Sequence, residues 1–115
     1  MNMKKIEAII RPEKLEGVVG ALERAGYPGI MITEIEGHGL QKGIKQQWRG
    51  EEFQVNFLPK VKVEIVVRDE EAENIVQAII ESSSTGAVGD GKIFLYPVEE
   101  AVRIRTRERG VRALS

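Results

Sequence analysis

The apolar residues of this chain follow two different periods, and each period occurs twice. Two segments alternate apolar and polar residues, which is the pattern of a strand with one buried face. Their apolar positions are Ile6, Ala8, Ile10, Val63, Ile65 and Val67. Each is followed by apolar positions three and four residues apart, which is the spacing of an amphipathic helix. These helical stripes are Leu15, Val18, Val19 and Leu22, and then Ala72, Ile75, Val76, Ile79 and Ile80.

The ends of the two predicted helices carry their own signals. Pro12 suits the first position of the first helix, because the N–H that it lacks would be unpaired there, and Gly26 is the predicted stop. Asp69 is the predicted N-cap of the second helix. After each helix the chain returns to a strand pattern, at residues 30–36 and 92–96.

The chain contains an internal repeat. Residues 5–22 and 62–79 are identical at seven of 18 positions, with an offset of 57 residues. Each copy predicts a strand, a helix and a second strand. Two such units that bury their helices on one face of a shared sheet form an α+β, ferredoxin-like βαββαβ sandwich. The 115 residues are enough for one such domain, which we assign to residues 1–115.

Composition excludes several classes of protein. The chain has 17 Lys and Arg against 18 Asp and Glu, so no overall positive charge favours nucleic acid or an anionic membrane. It has no cysteine and one histidine, His38, which excludes disulfide scaffolds and thiolate zinc sites. The N-terminus lacks a signal-peptide pattern, and no apolar run approaches the ~20 residues of a membrane span. We therefore predict a cytoplasmic protein that does not insert into the membrane.

A glycine-rich turn, residues 85–92, leads into the last strand and has the composition of an anion site. Gly86, Gly89 and Gly91 can adopt backbone angles closed to other residues, which lets main-chain N–H groups approach a phosphate. Lys92 adds a positive charge. The turn lacks the P-loop spacing, and an ordinary surface turn is the alternative interpretation.

Two arginines follow the last strand, in the segment 102–112 that is rich in basic residues. In an extended segment Arg103 and Arg105 would share one face, and Val102 and Ile104 would share the other. Two guanidinium groups on one face suit a polyphosphate or a carboxylate. A solvated edge strand protected by arginines is the alternative.

A long polar segment, residues 37–56, joins the two halves. Segments longer than about 12 to 15 residues without secondary structure are usually functional or disordered in compact domains. Trp48 and Arg49 lie near its middle, and this pair of residue types is typical of a binding hot spot. We predict a partner-binding loop. Alternatively, Trp48 packs back onto the domain, or the segment extends the second and third strands into a hairpin.

The chain resembles the PII nitrogen signal-transduction proteins of the GlnB and GlnK type over residues 3–110. The resemblance rests on the repeat, the long segment and three motifs in this order: FLPKVKVEIVV, TGAVGDGKIF and PVEEAVRIRT. It implies a homotrimer that binds ATP or ADP in clefts between subunits and senses 2-oxoglutarate beside MgATP. It also implies control of ammonium transporters or nitrogen-metabolism enzymes through the long loop, with peripheral recruitment to the membrane by a transporter.

The resemblance also assigns nucleotide-binding residues. The glycine-rich turn and Lys92 would hold the phosphates from one subunit, and Arg103 and Arg105 would reach them from the neighbour. Other members of the set would surround adenine and ribose. The full set is Ile9, Gly37, Glu64, Val66, Gly86, Ala87, Val88, Gly89, Asp90, Gly91, Lys92, Arg103 and Arg105. On local pattern alone, Ile9 and Val66 are explained as core residues, and Glu64 as a strand-end charge.

A second set, for 2-oxoglutarate, follows from the same resemblance. Its residues are Arg11, Gln41, Lys42, Gly43 and Lys60, and Gln41 would also bind the metal. Ordinary strand-end charges are the alternative for Arg11 and Lys60, and a solvated loop residue is the alternative for Gln41. Arg49 matches the loop arginine that enters the transporter channel.

Four positions depart from the family pattern. Leu40 stands where many members have an arginine that contacts ATP phosphate, and Ala87 replaces a common lysine of the turn. Phe53 stands where proteobacterial members carry the uridylylated tyrosine, and Glu51 where cyanobacterial members carry the phosphorylated serine. Neither covalent switch can operate at those two positions.

Three functions compete for this pattern. The leading one is a non-enzymatic sensor whose ligands choose between loop conformations. The alternative is a slow ATPase or phosphotransferase at the same site, although no acid is placed convincingly as a base and His38 has no partner carboxylate or second metal ligand. An RNA-binding module of this fold would need stacking aromatic residues on its sheet, and residues 61–67 contain none.

Overall fold

The structure, a computed structural model, describes residues 2–27, 29–48 and 51–115, and for residues 37–58 the backbone alone. Four strands and two helices follow the order predicted from the repeat. They are β1 (Met3–Ile10), α1 (Leu15–Arg24), β2 (Met31–Trp48), β3 (Glu51–Arg68), α2 (Asp69–Ser83) and β4 (Lys92–Val98). Short 3₁₀ helices lie at Pro12–Lys14 and Gly110–Leu114.

The four strands form one antiparallel sheet in the order β2-β3-β1-β4. The two strands of the repeat, β1 and β3, lie side by side in its centre, with Met3 opposite Arg68 and Ile10 opposite Val61. The edge strand β4 pairs with β1 up to Lys92, which lies opposite Ile9. This order confirms the ferredoxin-like sandwich.

The core lies between one face of the sheet and the two helices. Its buried residues are Ile6, Ala8, Ile10, Val18, Leu22, Val61, Val63, Ile65, Val67, Ala72, Ile75 and Ile79. Full burial of one such aliphatic side chain stabilises the fold by about 1.5–3 kcal/mol. The predicted stripes are confirmed at their centres, whereas Val19 and Val76 at their margins are half-buried and Ile80 is exposed.

The helix ends agree with the sequence at α1 and differ from it at α2. Pro12 begins the 3₁₀ turn that leads into α1, and Gly26 follows the helix with a φ of 90°. Asp69 is not the N-cap of α2: that position is Arg68, and Asp69 is the first helical residue. The Asp69 carboxylate pairs instead with Lys4 of β1, at 3.2 Å. No helix in the described ranges is long and apolar enough to cross a bilayer.

The segment 37–56 has strand backbone in its described part. β2 and β3 stay paired from Met31 opposite Glu64 to Trp48 opposite Glu51, with one irregularity between Lys42 and Gln46. The second strand is therefore longer than the predicted residues 30–36, and the hairpin interpretation is the one that the structure adopts. Main-chain pairing needs no apolar pattern, which explains why hydrophobic periodicity did not detect this part of the strands. Arg49 lies outside the described residues.

Candidate functional site

The glycine-rich turn connects α2 to β4 and lies beside the end of β1. Gly86, Gly89 and Gly91 have φ values of 83°, 100° and 106°, in the region that favours glycine. Gly91 also lies close to the β1 backbone, because a Cβ at this position would overlap the carbonyl oxygen of Ile9. The glycines thus have the unusual backbone angles that the sequence predicted, and the third one also permits a close approach of two chain segments.

The carboxylate of Asp90 holds the first half of the turn together. It accepts hydrogen bonds from the N–H groups of Thr85 and Gly86, at 2.8 and 2.9 Å, and from the Thr85 hydroxyl. Arg11 donates a further bond through Nε at 3.1 Å. The hydrogen bonds from Thr85, then those from Arg11 and Gly86, hold the pKa of Asp90 well below its usual range. Asp90 is therefore charged, and its charge is satisfied within the protein.

Two cations from the sheet hold carbonyl groups of the same turn. Arg11, just after β1, donates through Nη2 to the carbonyl oxygen of Val88 at 2.8 Å. Lys60 of β3 donates through Nζ to the carbonyl oxygen of Gly89. Arg11 directly follows the buried Ile10, and Lys60 directly precedes the buried Val61, so both cations attach the turn to the core of the domain.

The main-chain N–H groups on the turn are the donors that an anion would use. No hydrogen bond between described residues uses the N–H groups of Val88, Gly89 or Asp90. Lys92 is exposed next to them and forms no ion pair with any residue that the structure describes. Amide groups beside an unpaired ammonium group can bind a phosphate or a carboxylate.

Two clefts lie near the site: the first includes residues of the turn, and the second includes Lys60, which bonds to the turn. One, of about 390 Å³, is lined by Ile9, Gly91 and Lys92 together with residues of α2 and β4. The other, of about 420 Å³, lies on the β2–β3 side and includes Lys60 and Pro12. Each is in the size range of small-molecule sites, which is roughly 300–1,000 Å³.

Glu64 lies in a network of charges on the sheet face opposite the helices. Its carboxylate is 3.1 Å from Nζ of Lys5 and 3.7 Å from Nζ of Lys62, and Lys62 is also 3.8 Å from Glu7. The hydrogen bond from Lys5, with the charges of Lys62 and Lys5, lowers the pKa of Glu64. Tyr96 of β4 donates to Glu7 at 2.8 Å. Glu64 is thus an ionised carboxylate, and Val66, two residues on, is half-buried on the same face.

The C-terminal arginines do not lie on an extended strand, contrary to the prediction. Residues 104–106 form a turn, closed by the bridge between Val102 and Arg109. The Arg103 guanidinium pairs with Glu108 at 2.6 Å, which holds the segment in a bend rather than in an alternating strand. Arg105 is exposed. The two arginines therefore do not present one common strand face.

Within one chain these arginines are also separated from the glycine-rich turn. The 3₁₀ helix at Gly110–Leu114 lies beside Val66 and Arg68, near the end of β3. The turn lies at the other end of the sheet, beside Ile9 and Lys60. The structure thus brings together Ile9, Arg11, Lys60, the turn and Lys92, and leaves Arg103 and Arg105 apart from them.

The remaining predicted residues lie on the long hairpin. Gly37, Gln41 and Lys42 are β2 residues, paired with Leu58, Gln54 and Phe53 of β3. Gly43 lies in the irregular stretch between Lys42 and Gln46, and Trp48 ends β2. Their side chains, and Arg49 altogether, lie outside the described part of the chain, so their predicted roles stay predictions.

The sequence did not predict that Thr85 belongs to the site, nor that Asp90 holds the turn together through its side chain. Thr85 begins the glycine-rich turn, and its hydroxyl donates to Asp90 and accepts from the N–H of Ala87 at 3.1 Å. The carboxylate of Asp90 organises the turn from within. A usable signal was present, because Thr and Asp near glycines commonly bond to neighbouring main-chain groups.

Comparison with known proteins places this geometry in a family. Residues 3–108 match the family described as "Nitrogen regulatory protein P-II". The chain is 53% identical over 112 residues to "Nitrogen regulatory protein P-II 2" of Methanothermobacter thermautotrophicus, with 97% of each chain covered.

Two solved structures share the fold. One is a GlnK–ATP complex from B. subtilis, with a TM-score of 0.84, 33% identity and 98% of each chain covered. The other is Arabidopsis thaliana PII bound to citrate, with a TM-score of 0.80, 36% identity, and 98% of this chain and 90% of that chain covered. The sheet order, the glycine-rich turn and the match over nearly the whole length agree: this chain belongs to the nitrogen regulatory protein P-II family.

Proposed function

We propose that this protein is a non-enzymatic nitrogen sensor that binds ATP or ADP at the glycine-rich turn. The observation that carries the proposal is the turn itself, where the N–H groups of Val88, Gly89 and Asp90 are not used by hydrogen bonds between described residues and lie beside the exposed Lys92. This is the donor set that a polyphosphate needs. The ATP complex of the similar B. subtilis GlnK supports the choice of ligand.

The nucleotide site includes a second subunit. Arg103 and Arg105 lie apart from the turn within one chain, so they reach the phosphates only if another copy supplies them. We therefore propose a homotrimer with one nucleotide in each cleft between subunits. Ile9, Gly37, Glu64 and Val66 would surround adenine and ribose. Since Arg103 is paired with Glu108, a phosphate competes with that carboxylate or shares the guanidinium with it.

A second ligand, 2-oxoglutarate, would bind beside MgATP. No group of three His, Cys, Asp or Glu within the described residues could hold a metal. Mg²⁺ typically keeps waters and binds nucleotide phosphates with one or two protein oxygens, so ATP and the Gln41 amide would suit it. Lys42, Gly43 and Lys60 complete the proposed carboxylate site, and Lys60 has three N–H donors, enough to keep its bond to Gly89. The citrate-bound Arabidopsis thaliana PII supports a carboxylate effector.

The long hairpin would deliver the signal. ATP, ADP and 2-oxoglutarate would select among its conformations through their different affinities for them. The hairpin, with Trp48 and Arg49 near its tip, would then bind or release an ammonium transporter or a nitrogen-metabolism enzyme. The protein would act in the cytoplasm and join the membrane only through such a transporter.

Calorimetric titration with ATP and with ADP tests the nucleotide site. Lys92→Ala should weaken both ligands about tenfold or more, since a charge-assisted hydrogen bond contributes about 1.5–3 kcal/mol. Lys4→Ala is the matched control, because Lys4 lies at the opposite end of β1 and pairs with Asp69. Equal nucleotide affinities in the wild type, Lys92→Ala and Lys4→Ala, with unchanged melting temperatures, would overturn the assignment.

A further inference from the structure

Arg11 makes two bonds to the glycine-rich turn, which points to a role other than direct contact with a carboxylate ligand. Its Nε donates to Asp90 at 3.1 Å and its Nη2 donates to the carbonyl oxygen of Val88 at 2.8 Å. Both side chains are about 25% exposed, so the pair is largely screened from water. Gly89 is in close contact with the same guanidinium, since a Cβ there would lie 3.2 Å from Nη2.

The bonds to the carbonyl groups of Val88 and Gly89 fix the direction of the N–H groups that follow them. All peptide bonds of the described residues are trans, and in a trans peptide the C=O and the next N–H point in opposite directions. Because the carbonyl of Val88 points to Arg11, the N–H of Gly89 points away from Arg11. Because the carbonyl of Gly89 points to Lys60, the N–H of Asp90 points away from Lys60. The cations on the sheet side thus direct two donors to the other side.

The Asp90 carboxylate completes this arrangement without being able to bind an anion itself. It is negatively charged and already accepts from Thr85, Gly86 and Arg11. By simple Coulomb interaction its charge disfavours a nearby phosphate. Asp90 therefore favours phosphate binding only by holding the turn in position. Its negative charge by itself disfavours phosphate binding.

We propose that Arg11 and Asp90 form a clamp that positions the N–H groups of the turn for a polyphosphate, and that neither side chain contacts the ligand. This proposal rests on the proposed nucleotide site. It adds that the affinity of the site for nucleotides depends on the ion pair between Arg11 and Asp90. Arg11 would then act on ATP and ADP equally, because both carry phosphates to the same amides.

Calorimetry on Asp90→Asn measures whether nucleotide affinity falls or rises. The affinity falls if the position of the turn matters more, and it rises if the repulsion between Asp90 and the phosphates matters more. A clamp predicts that ATP and ADP bind several-fold more weakly, although the variant removes a negative charge near the phosphates. Arg11→Gln should weaken both by roughly tenfold, the effect of losing hydrogen bonds made by a charged group. The double variant should be no weaker than the weaker single variant, since both remove the same clamp. Unchanged or tighter binding by Asp90→Asn, or additive losses in the double variant, would refute the clamp.

Further measurements distinguish a failure of the clamp from a failure of the proposed nucleotide site. Glu34→Gln removes an exposed carboxylate from the neighbouring cleft and should leave the affinity unchanged or slightly higher. If Asp90→Asn unfolds, Thr85 offers a second pair of variants. Thr85→Val should weaken binding and Thr85→Ser should retain it, because serine keeps the side-chain hydroxyl that donates to Asp90 and valine removes it. Equal affinities for this pair would refute the clamp. A wild-type protein that binds neither nucleotide would refute the site itself.

Discussion

Replacing Gly91 with alanine tests whether the glycine-rich turn must follow its observed path. The new Cβ would overlap the carbonyl oxygen of Ile9, and the φ of 106° is strained for an L-residue. Ile9 cannot easily move, because it is paired with Lys62 of β3 and Lys92 of β4. Backbone strain of this kind costs on the order of 1–3 kcal/mol, and the steric overlap adds to it. We expect a loss of about 3 kcal/mol or more, roughly 10 °C in melting temperature.

Gly86→Ala is the matched control for this experiment. Its φ is 83°, also in the left-handed region, but a Cβ would meet nothing within 4 Å. Only the conformational cost of about 1–2 kcal/mol should remain. Thermal melting and urea unfolding of both variants measure the difference, and calorimetry with ATP reports the state of the turn. Equal destabilisation by the two substitutions would refute the close approach of Gly91 to β1.

Three further results are expected. Incubation with an active PII uridylyltransferase and labelled UTP should leave the protein unlabelled, because Phe53 lacks a hydroxyl; label within residues 37–56 would contradict this. Affinity for 2-oxoglutarate should rise steeply with MgATP and not with ADP, and 2-oxoglutarate should tighten MgATP by the same factor; calorimetry that finds equal binding to the empty, ADP-loaded and MgATP-loaded protein would refute the shared metal. Since hydrogen bonds lower the pKa of Asp90, its contribution to stability is complete above its unfolded pKa of about 3.9 and is lost as the pH falls through its folded pKa. The difference in unfolding free energy between the wild type and Asp90→Asn should therefore be constant between about pH 5 and 7 and shrink only below about pH 4. A difference that already shrinks as the pH falls from about 7 to 5 would contradict this prediction.

The sequence predicted the parts of the fold that depend on burying an apolar face. The alternating positions of β1 and β3 and the stripes of both helices lie in the core because each period places apolar side chains on one side. Asp69 is not the N-cap because the helix begins one residue earlier than the capping pattern indicates, and its side chain pairs with Lys4, 65 residues away in sequence. A local capping pattern contains no information about such a partner.

The candidate site was predictable where single residues have special properties and not where it depends on distant contacts. A cluster of three glycines permits the positive φ values that the structure shows at Gly86, Gly89 and Gly91. The bond from Arg11 to Asp90 spans 79 residues and depends on the sheet, which brings the end of β1 beside the turn. The bend at residues 104–106 was missed for another reason: the pair between Arg103 and Glu108 is local, five residues apart, but it has no counterpart in an alternating pattern of apolar and basic residues.

Mixed trimers test the central claim, that a nucleotide is bound by the turn of one subunit and the arginines of another. Lys92→Ala and Arg103→Ala should each impair every site on its own. When the two variants are co-expressed at equal levels, about one quarter of the interfaces in a closed ring combine an intact Lys92 with an intact Arg103. Calorimetry with ATP should then recover wild-type affinity at about one quarter of the sites, as this ring geometry requires. A mixture that binds ATP no better than the two separate variants would contradict the account.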